Sequence, residues 1–305
     1  MGEKDKNVTM NKTQKKATVF ALLAAVLYAI HSPFSKLLLE RISATMMAAF
    51  LYLGAGVGLF LLGVVQQTVG RKAKERPLTK KELPYTIGMV VLDIAAPIFL
   101  MVGLKLTTAA NASLLNNFEI VATSLIALVL FKETISRRLW LAIALVTLSS
   151  LILSFEDMSS LSFSYGSLFV LLACVCWGFE NNCTRKLSSK DPVEIVVIKG
   201  FGSGAGALVI ALVLGEPMPD VLSILSALLL GFVAYGLSIY FYIYAQRDLG
   251  AAKTSTYYAV APFVGAGLSL LVFWERPSFS YIVALIIMIA GTYLATIDGN
   301  HKECC

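Results

Sequence analysis

The chain has 305 residues, of which 57% are hydrophobic and only 14% charged, and its mean hydropathy is +0.77. Globular domains hold about 45–50% apolar and about 25% charged residues, so little of this chain is left for a soluble domain and it reads as a polytopic membrane protein. The net charge of +6 invites a nucleic-acid reading, which the positions of the basic residues argue against below.

A spanning helix needs about 20 mostly apolar residues. Ten such segments are predicted in chain order, giving an all-α fold of ten transmembrane helices. The first, 17–39, follows a lysine-rich tail over residues 1–16 and carries Tyr28, His31 and Pro33. It is longer than the core of a signal peptide and ends in HSPFSK, not in a small-residue cleavage site, so it reads as a span. The second, 44–68, contains GAGVG, and the third, 84–104, contains Asp93 and Pro97. The fourth, 110–131, holds LLNNFEIVATSL, with Asn116, Asn117 and Glu119. After the fifth, 137–154, the sixth, 165–187, carries Trp177, Glu180 and Asn181. The seventh, 193–214, has GFGSGAG; the eighth, 221–246, has Tyr235, Ser238 and Tyr242 on one face. The ninth, 254–274, holds Tyr257, Tyr258 and Pro262, and the tenth, 279–297, precedes a tail over residues 298–305.

The charges set the topology. Of the 25 Lys and Arg, twenty fall in the two tails and in alternate loops, among them Arg71, Lys72, Arg137, Arg138, Arg185 and Lys186. The remaining loops hold Arg41, Lys105 and Arg276, and Lys36 and Lys199 lie within helices. Positive-inside bias therefore predicts cytoplasmic N- and C-termini in a cell membrane, plasma or inner, and agrees with an even number of spans. Nucleic acid is not expected as a partner.

The chain also repeats itself. YAIHSPFSK from Tyr28 aligns with WGFENNCTR from Trp177, LGAGVG with KGFGSG, and AANASLLNN…LVLFKE with AAKTSTYYA…LLVFWE. Tyr28, His31, Ser32 and Ser35 share a helix face, as do Trp177, Glu180, Asn181 and Thr184. Each copy holds five helices, 17–155 and 163–297. An odd number inverts one copy relative to the other, an arrangement of secondary transporters with substrate near the midplane.

These features together resemble the EamA branch of the drug/metabolite transporter superfamily. The likeness lies in the paired copies, GLKLTTAANASLLNNFE, AAKTSTYYAVAPFVG, and the glutamates Glu133 and Glu275 closing helices four and nine. It covers residues 17 to 297 and implies an exporter-like fold with a cavity lined by helices 1, 3, 4, 6, 8 and 9. One departure is that Ile120 stands opposite Pro262, where the resemblance calls for a proline.

Four ionisable side chains fall near helix centres: His31, Asp93, Glu119 and Glu180. A central charge costs about 2.5–3.5 kcal/mol on insertion scales, so three acids facing lipid would cost about 8–10 kcal/mol. They are expected to line a hydrated path. Ala112, Asn116, Glu119 and Thr123 share one face, against the simpler alternative that the amides only tie helices together. Glu180 with Trp177 and Asn181 suits a cationic or aromatic group, or else Glu180 neutralises His31. Lys36 and Lys199 are expected to snorkel from helix ends. Pro33, Pro97 and Pro262 each remove a backbone donor and mark candidate gating bends. The tyrosines 28, 235, 257 and 258 are candidates for an aromatic-lined pocket.

The expected function is a secondary transporter, in the exporting direction, of amino acids or amine and aromatic compounds, with protons as coupling ion through the carboxylates. Facilitative or sodium-linked transport is the alternative. An intramembrane enzyme ranks last: His-Glu-x-x-His is absent, a Ser203–His31 pair has only its residue types in favour, and the glycine runs fit helix packing better than a phosphate loop. No cofactor or metal is expected, since the five cysteines lack zinc-ligand spacing.

Overall fold

A computed structural model gives the fold and describes residues 12–68, 77–132, 135–157, 162–187, 190–249, 254 and 257–302. Glu133 lies outside the described residues. Among those described, eight helices are long and apolar enough to cross a membrane, and Ala261–Phe273 is a shorter apolar helix. Exposed Val129, Val213, Leu271 and Ile286 belong to an apolar outer surface that water would not tolerate and lipid does.

The first predicted span is two helices, α1 (Lys12–Ala29) and α2 (His31–Leu38), separated by a turn at Ile30. Pro33 has no N–H to offer Ala29, so the ladder loosens where the turn occurs. Helix α3 (Ala44–Thr68) is unbroken, and α4 (Leu83–Leu106) is also continuous through Pro97. The fourth span breaks into α5 (Ala109–Leu115) and α6 (Phe118–Phe131) without any proline. Asparagine is a weak helix former, and its amide competes for backbone groups. Here Asn117 Nδ2 donates to the Leu114 carbonyl at 3.1 Å, and Thr292 Oγ1 donates to Asn117 Oδ1 at 3.3 Å. Asn117 is thus a structural tie that pins the break.

Helix α7 (Arg137–Leu153) starts at a Ser136 cap and leads to a short antiparallel pair, β1 (Phe155–Asp157) and β2 (Ser162–Phe163), with Phe155 opposite Phe163. Among the described residues this pair is the one departure from an all-helical reading. Helix α8 (Tyr165–Leu187) is continuous. Helix α9 (Pro192–Val213) begins with Pro192 behind an Asp191 cap, whose carboxylate accepts from the backbone N–H of Val193 and Glu194.

The eighth span is α10 (Val221–Gly231), a π-helical segment over Phe232–Leu237, and α11 (Ser238–Leu249). Helix α12 (Ala261–Phe273) follows a turn at 259–260 and has Pro262 in its first turn, where the missing N–H is harmless. Helix α13 (Phe279–Lys302) runs past the predicted end at 297. Lys132 and Trp274 end α6 and α12 in the same left-handed conformation, with φ of 54° and 53°.

Packing follows small residues. Helices α3 and α9 cross where a Cβ on Gly200 would lie 2.5 Å from Gly56 Cα, so only glycine fits. On α9, a Cβ on Gly202 would meet Val90 of α4 at 3.0 Å, and one on Gly206 would meet Ile94 at 2.3 Å. The glycine runs therefore pack helices. The principal pairs are α3 with α9, α4 with α8, α1 with α11, α5 with α12, and α7 with α13; α6 also packs on α8.

Candidate functional site

Two groups of side chains meet inside the bundle. The charged group is centred on Lys199, whose Nζ lies 2.9 Å from Asp93 Oδ2 and 3.0 Å from Glu180 Oε1. Asp93 is fully buried, Glu180 is 2% exposed, and 17% of the lysine side chain is exposed. The close crossings of α9 with α3 and α4 deliver this lysine to Asp93. Tyr52 OH and Trp177 Nε1 both donate to Asp93 Oδ1, at 3.1 and 3.2 Å, while Asp93 Oδ2 is held by the ion pair with Lys199 and not by an aligned hydrogen bond. Thr184 Oγ1 donates to Glu180 Oε1. Two carboxylates share one ammonium, so the group carries one formal negative charge in excess.

Glu119 stands beside it in the first turn of α6. Asn181 Nδ2 donates to Glu119 Oε1 at 2.6 Å and to Thr123 Oγ1 at 3.2 Å, which joins the predicted polar face of the fourth span to that of the sixth. The approach is close because a Cβ on Gly178 would lie 2.8 Å from Ala122 Cβ, and Asn182 Nδ2 bridges the Gly178 and Thr123 carbonyls. Asn116 is buried at the helix break, and its Oδ1 has no partner among the described residues.

The second group is aromatic. Tyr28 lies against His31, Tyr235 and Tyr258, with ring centroids at 5.4, 5.7 and 5.8 Å, and Tyr258 continues to Tyr242 at 5.1 Å. His31 and Tyr235 are 5.3 Å apart, and the tyrosine OH lies 3.3 Å from His31 Nδ1. His31 Nε2 is buried without a partner among the described residues. Tyr235 sits within the π-helical segment, a local widening of the helix often found at functional sites. Tyr52 links the two groups: its ring lies 5.5 Å from Tyr235 while its hydroxyl reaches Asp93. Ser238 Oγ donates to the Ala24 carbonyl at 2.8 Å, leaving it 3.2 Å from Tyr258 OH.

Of the predicted site residues, the structure brings together Tyr28, His31, Asp93, Glu119, Trp177, Glu180, Asn181, Tyr235 and Tyr258. Half-buried Tyr257 shows no ring contact with them among the described residues. Two expectations are corrected. Glu180 is neutralised by Lys199 and not by His31, because α9 puts the lysine within contact distance while His31 faces tyrosines. Lys199 does not snorkel; only Lys36 behaves so, donating to the carbonyls of Leu104, Lys105 and Thr107 at the end of α4. Tyr52 escaped the sequence reading, and Lys199 entered it only as a snorkelling residue. The signal for the lysine was available: buried acids demand a counter-charge. Ser203 Oγ donates to the Val90 carbonyl at 3.2 Å, away from His31.

The sequence matches the EamA-like transporter family twice, over residues 15–155 and 164–297, which is most of its length. The chain belongs to that family. Two relatives agree: an uncharacterized transporter of Methanothermobacter thermautotrophicus is 25% identical over 295 residues, covering 92% of this chain and 85% of the relative. The uncharacterized transporter YyaM of Bacillus subtilis is 22% identical over 230 residues, covering 71% and 74%. One solved crystal structure superposes with a TM-score of 0.64 over 95% of this chain and 99% of its own, at 17% identity, and so shares the fold. As an EamA-like transporter the molecule is a multi-pass membrane protein and not an enzyme.

Proposed function

We propose that this EamA-like protein is a proton-coupled secondary transporter, exporting small metabolites bearing an amine, an aromatic ring or both. The observation that carries the reading is the buried group of Asp93, Glu180 and Lys199, with Glu119 beside it and the tyrosines adjoining. Burying charges without full compensation is costly, so such groups inside a membrane protein are kept for function by default. The acids take up protons or a cationic solute in turn, and the tyrosine rings with Trp177 hold apolar or cationic parts of the solute by their faces.

We further read the architecture as ten spans in two inverted five-helix copies, with both termini cytoplasmic in the cell membrane. Several observations support this. The family matches twice, Lys132 and Trp274 end corresponding helices alike, and both the fourth and the ninth spans are broken at corresponding places. The helix pairs also map onto one another under an exchange of copies: the first with the eighth and the third with the sixth, while the second, fourth and fifth meet the seventh, ninth and tenth. The breaks beside Pro33, Asn116–Asn117 and Pro262 serve as bending points for alternating access.

The reading is tested by uptake into proteoliposomes at several pH values, using a panel of amino acids, amines and aromatic cations. At least one compound is expected to be carried, in a manner that depends on the pH gradient. Glu180→Gln and Glu119→Gln are expected to remove that dependence. Transport unchanged in both variants and indifferent to pH would contradict it.

A further inference from the structure

The carboxylate pair holds a primary ammonium, and that ammonium belongs to the chain. We infer that Lys199 is a tethered occupant of a cation site formed by Asp93 and Glu180, so that the free ligand of this site is a primary amine whose head group replaces the lysine's own. The inference rests on the pocket being the solute site and adds the chemistry of its charged end.

Four observations carry it. Nζ lies at hydrogen-bonding distance from both acids, 2.9 and 3.0 Å, so the site is built for a small cation with several N–H donors. One cation for two buried carboxylates leaves the group one formal positive charge short. A permanent structural pair gains little over apolar packing, whereas this one adjoins aromatic rings suited to the rest of a solute. Finally, α9 packs backbone to backbone on α3 at Gly200 and Gly56, whereas the lysine hangs on a flexible four-carbon stem. Rotation about that stem takes the ammonium away from the acids without a shift of the helix. A quaternary ammonium, with no N–H to donate, does not replace it.

Removing the tether is expected to open the site to a free amine. Purified full-length Lys199→Ala protein in detergent is melted in methylammonium chloride, with tetramethylammonium and sodium chloride at equal ionic strength as controls. At 100 mM, methylammonium is expected to raise the Tm of the variant by at least about 3 °C while the wild type shifts by less than about 1 °C. Neither control ion is expected to act, and adding Asp93→Asn is expected to abolish the response. Lys199→Met, which fills the space without charge, is measured in the same way should Lys199→Ala not fold. Equal shifts in wild type and variant, a response to tetramethylammonium as large as to methylammonium, or no shift in the folded variant would overturn the inference. Binding is read without transport, so a methylammonium response in a protein that carries no solute would refute the transport reading and leave this one standing.

Discussion

The first helices of the two family matches make an instructive pair. In the first, α1 and α2 break at Ile30 and present Tyr28 and His31 to a wall of tyrosines, with no carboxylate touching them among the described residues. In the second, α8 runs unbroken and presents Trp177, Glu180 and Asn181 to Asp93, Lys199 and Glu119. The sequence places both sets on the same face at the same spacing. The difference teaches that corresponding helix faces can carry different chemistry: the first helix of one match presents a phenol and an imidazole beside a break, and that of the other presents an indole, a carboxylate and an amide on an unbroken helix.

The largest effects should come from the charged side. Replacing Asp93 or Glu180 with Ala leaves Lys199 half compensated, and breaking a buried pair costs about 3–5 kcal/mol. Each variant should melt far below wild type and lose transport, whereas His31→Phe should lose much less stability. Equal losses from both sides would erase the distinction. Rigidity is tested next. Gly178→Ala drives a methyl into Ala122, at about 1–3 kcal/mol for overpacking, and should lower the Tm by separating α8 from α6. Pro33→Ala on the broken side should alter transport rate more than Tm, because it returns a backbone donor at the break beside Ile30.

Smaller again is Tyr235→Phe. It removes the hydroxyl 3.3 Å from His31, a contact of about 1 kcal/mol, and should weaken binding of an aromatic solute by roughly 5-fold without changing pH dependence. The smallest effect lies outside the bilayer. The hydrogen bonds from Thr79 hold the Glu82 carboxyl down at about 2, with Lys190 3.2 Å away. A lowered carboxyl contributes stability that is complete above its unfolded value of about 4.3 and fades as pH falls toward the folded one. Glu82→Gln should therefore differ from wild type slightly at pH 7 and progressively less as pH falls from about 4 through about 2, as read by thermal melting.

Much of this was legible before any coordinates. Spans show because lipid demands long apolar runs, and the shared faces of Glu119 with Thr123 and of Trp177 with Glu180 follow from helical spacing alone. Lys199 was misread because a lysine within a few turns of a helix end looks the same whether it snorkels or turns inward; only the glycine crossings decide, and those are tertiary. The break at Asn116–Asn117 was hidden for a related reason. A proline announces a lost hydrogen bond, whereas an asparagine breaks a helix only when its amide finds partners, as that of Asn117 does in Leu114 and Thr292. The π-helical turn around Tyr235 has no residue signature at all.

The central claim is that the charged side couples solute to protons through Glu119. It is tested most directly by following an internal pH dye in proteoliposomes while amino acids, amines and aromatic cations are added outside. At least one compound should discharge an imposed pH gradient through the wild type, and none should do so through Glu119→Gln, whose bond from Asn181 is retained. Discharge at the wild-type rate by Glu119→Gln, or transport of solute with no proton movement, would contradict it.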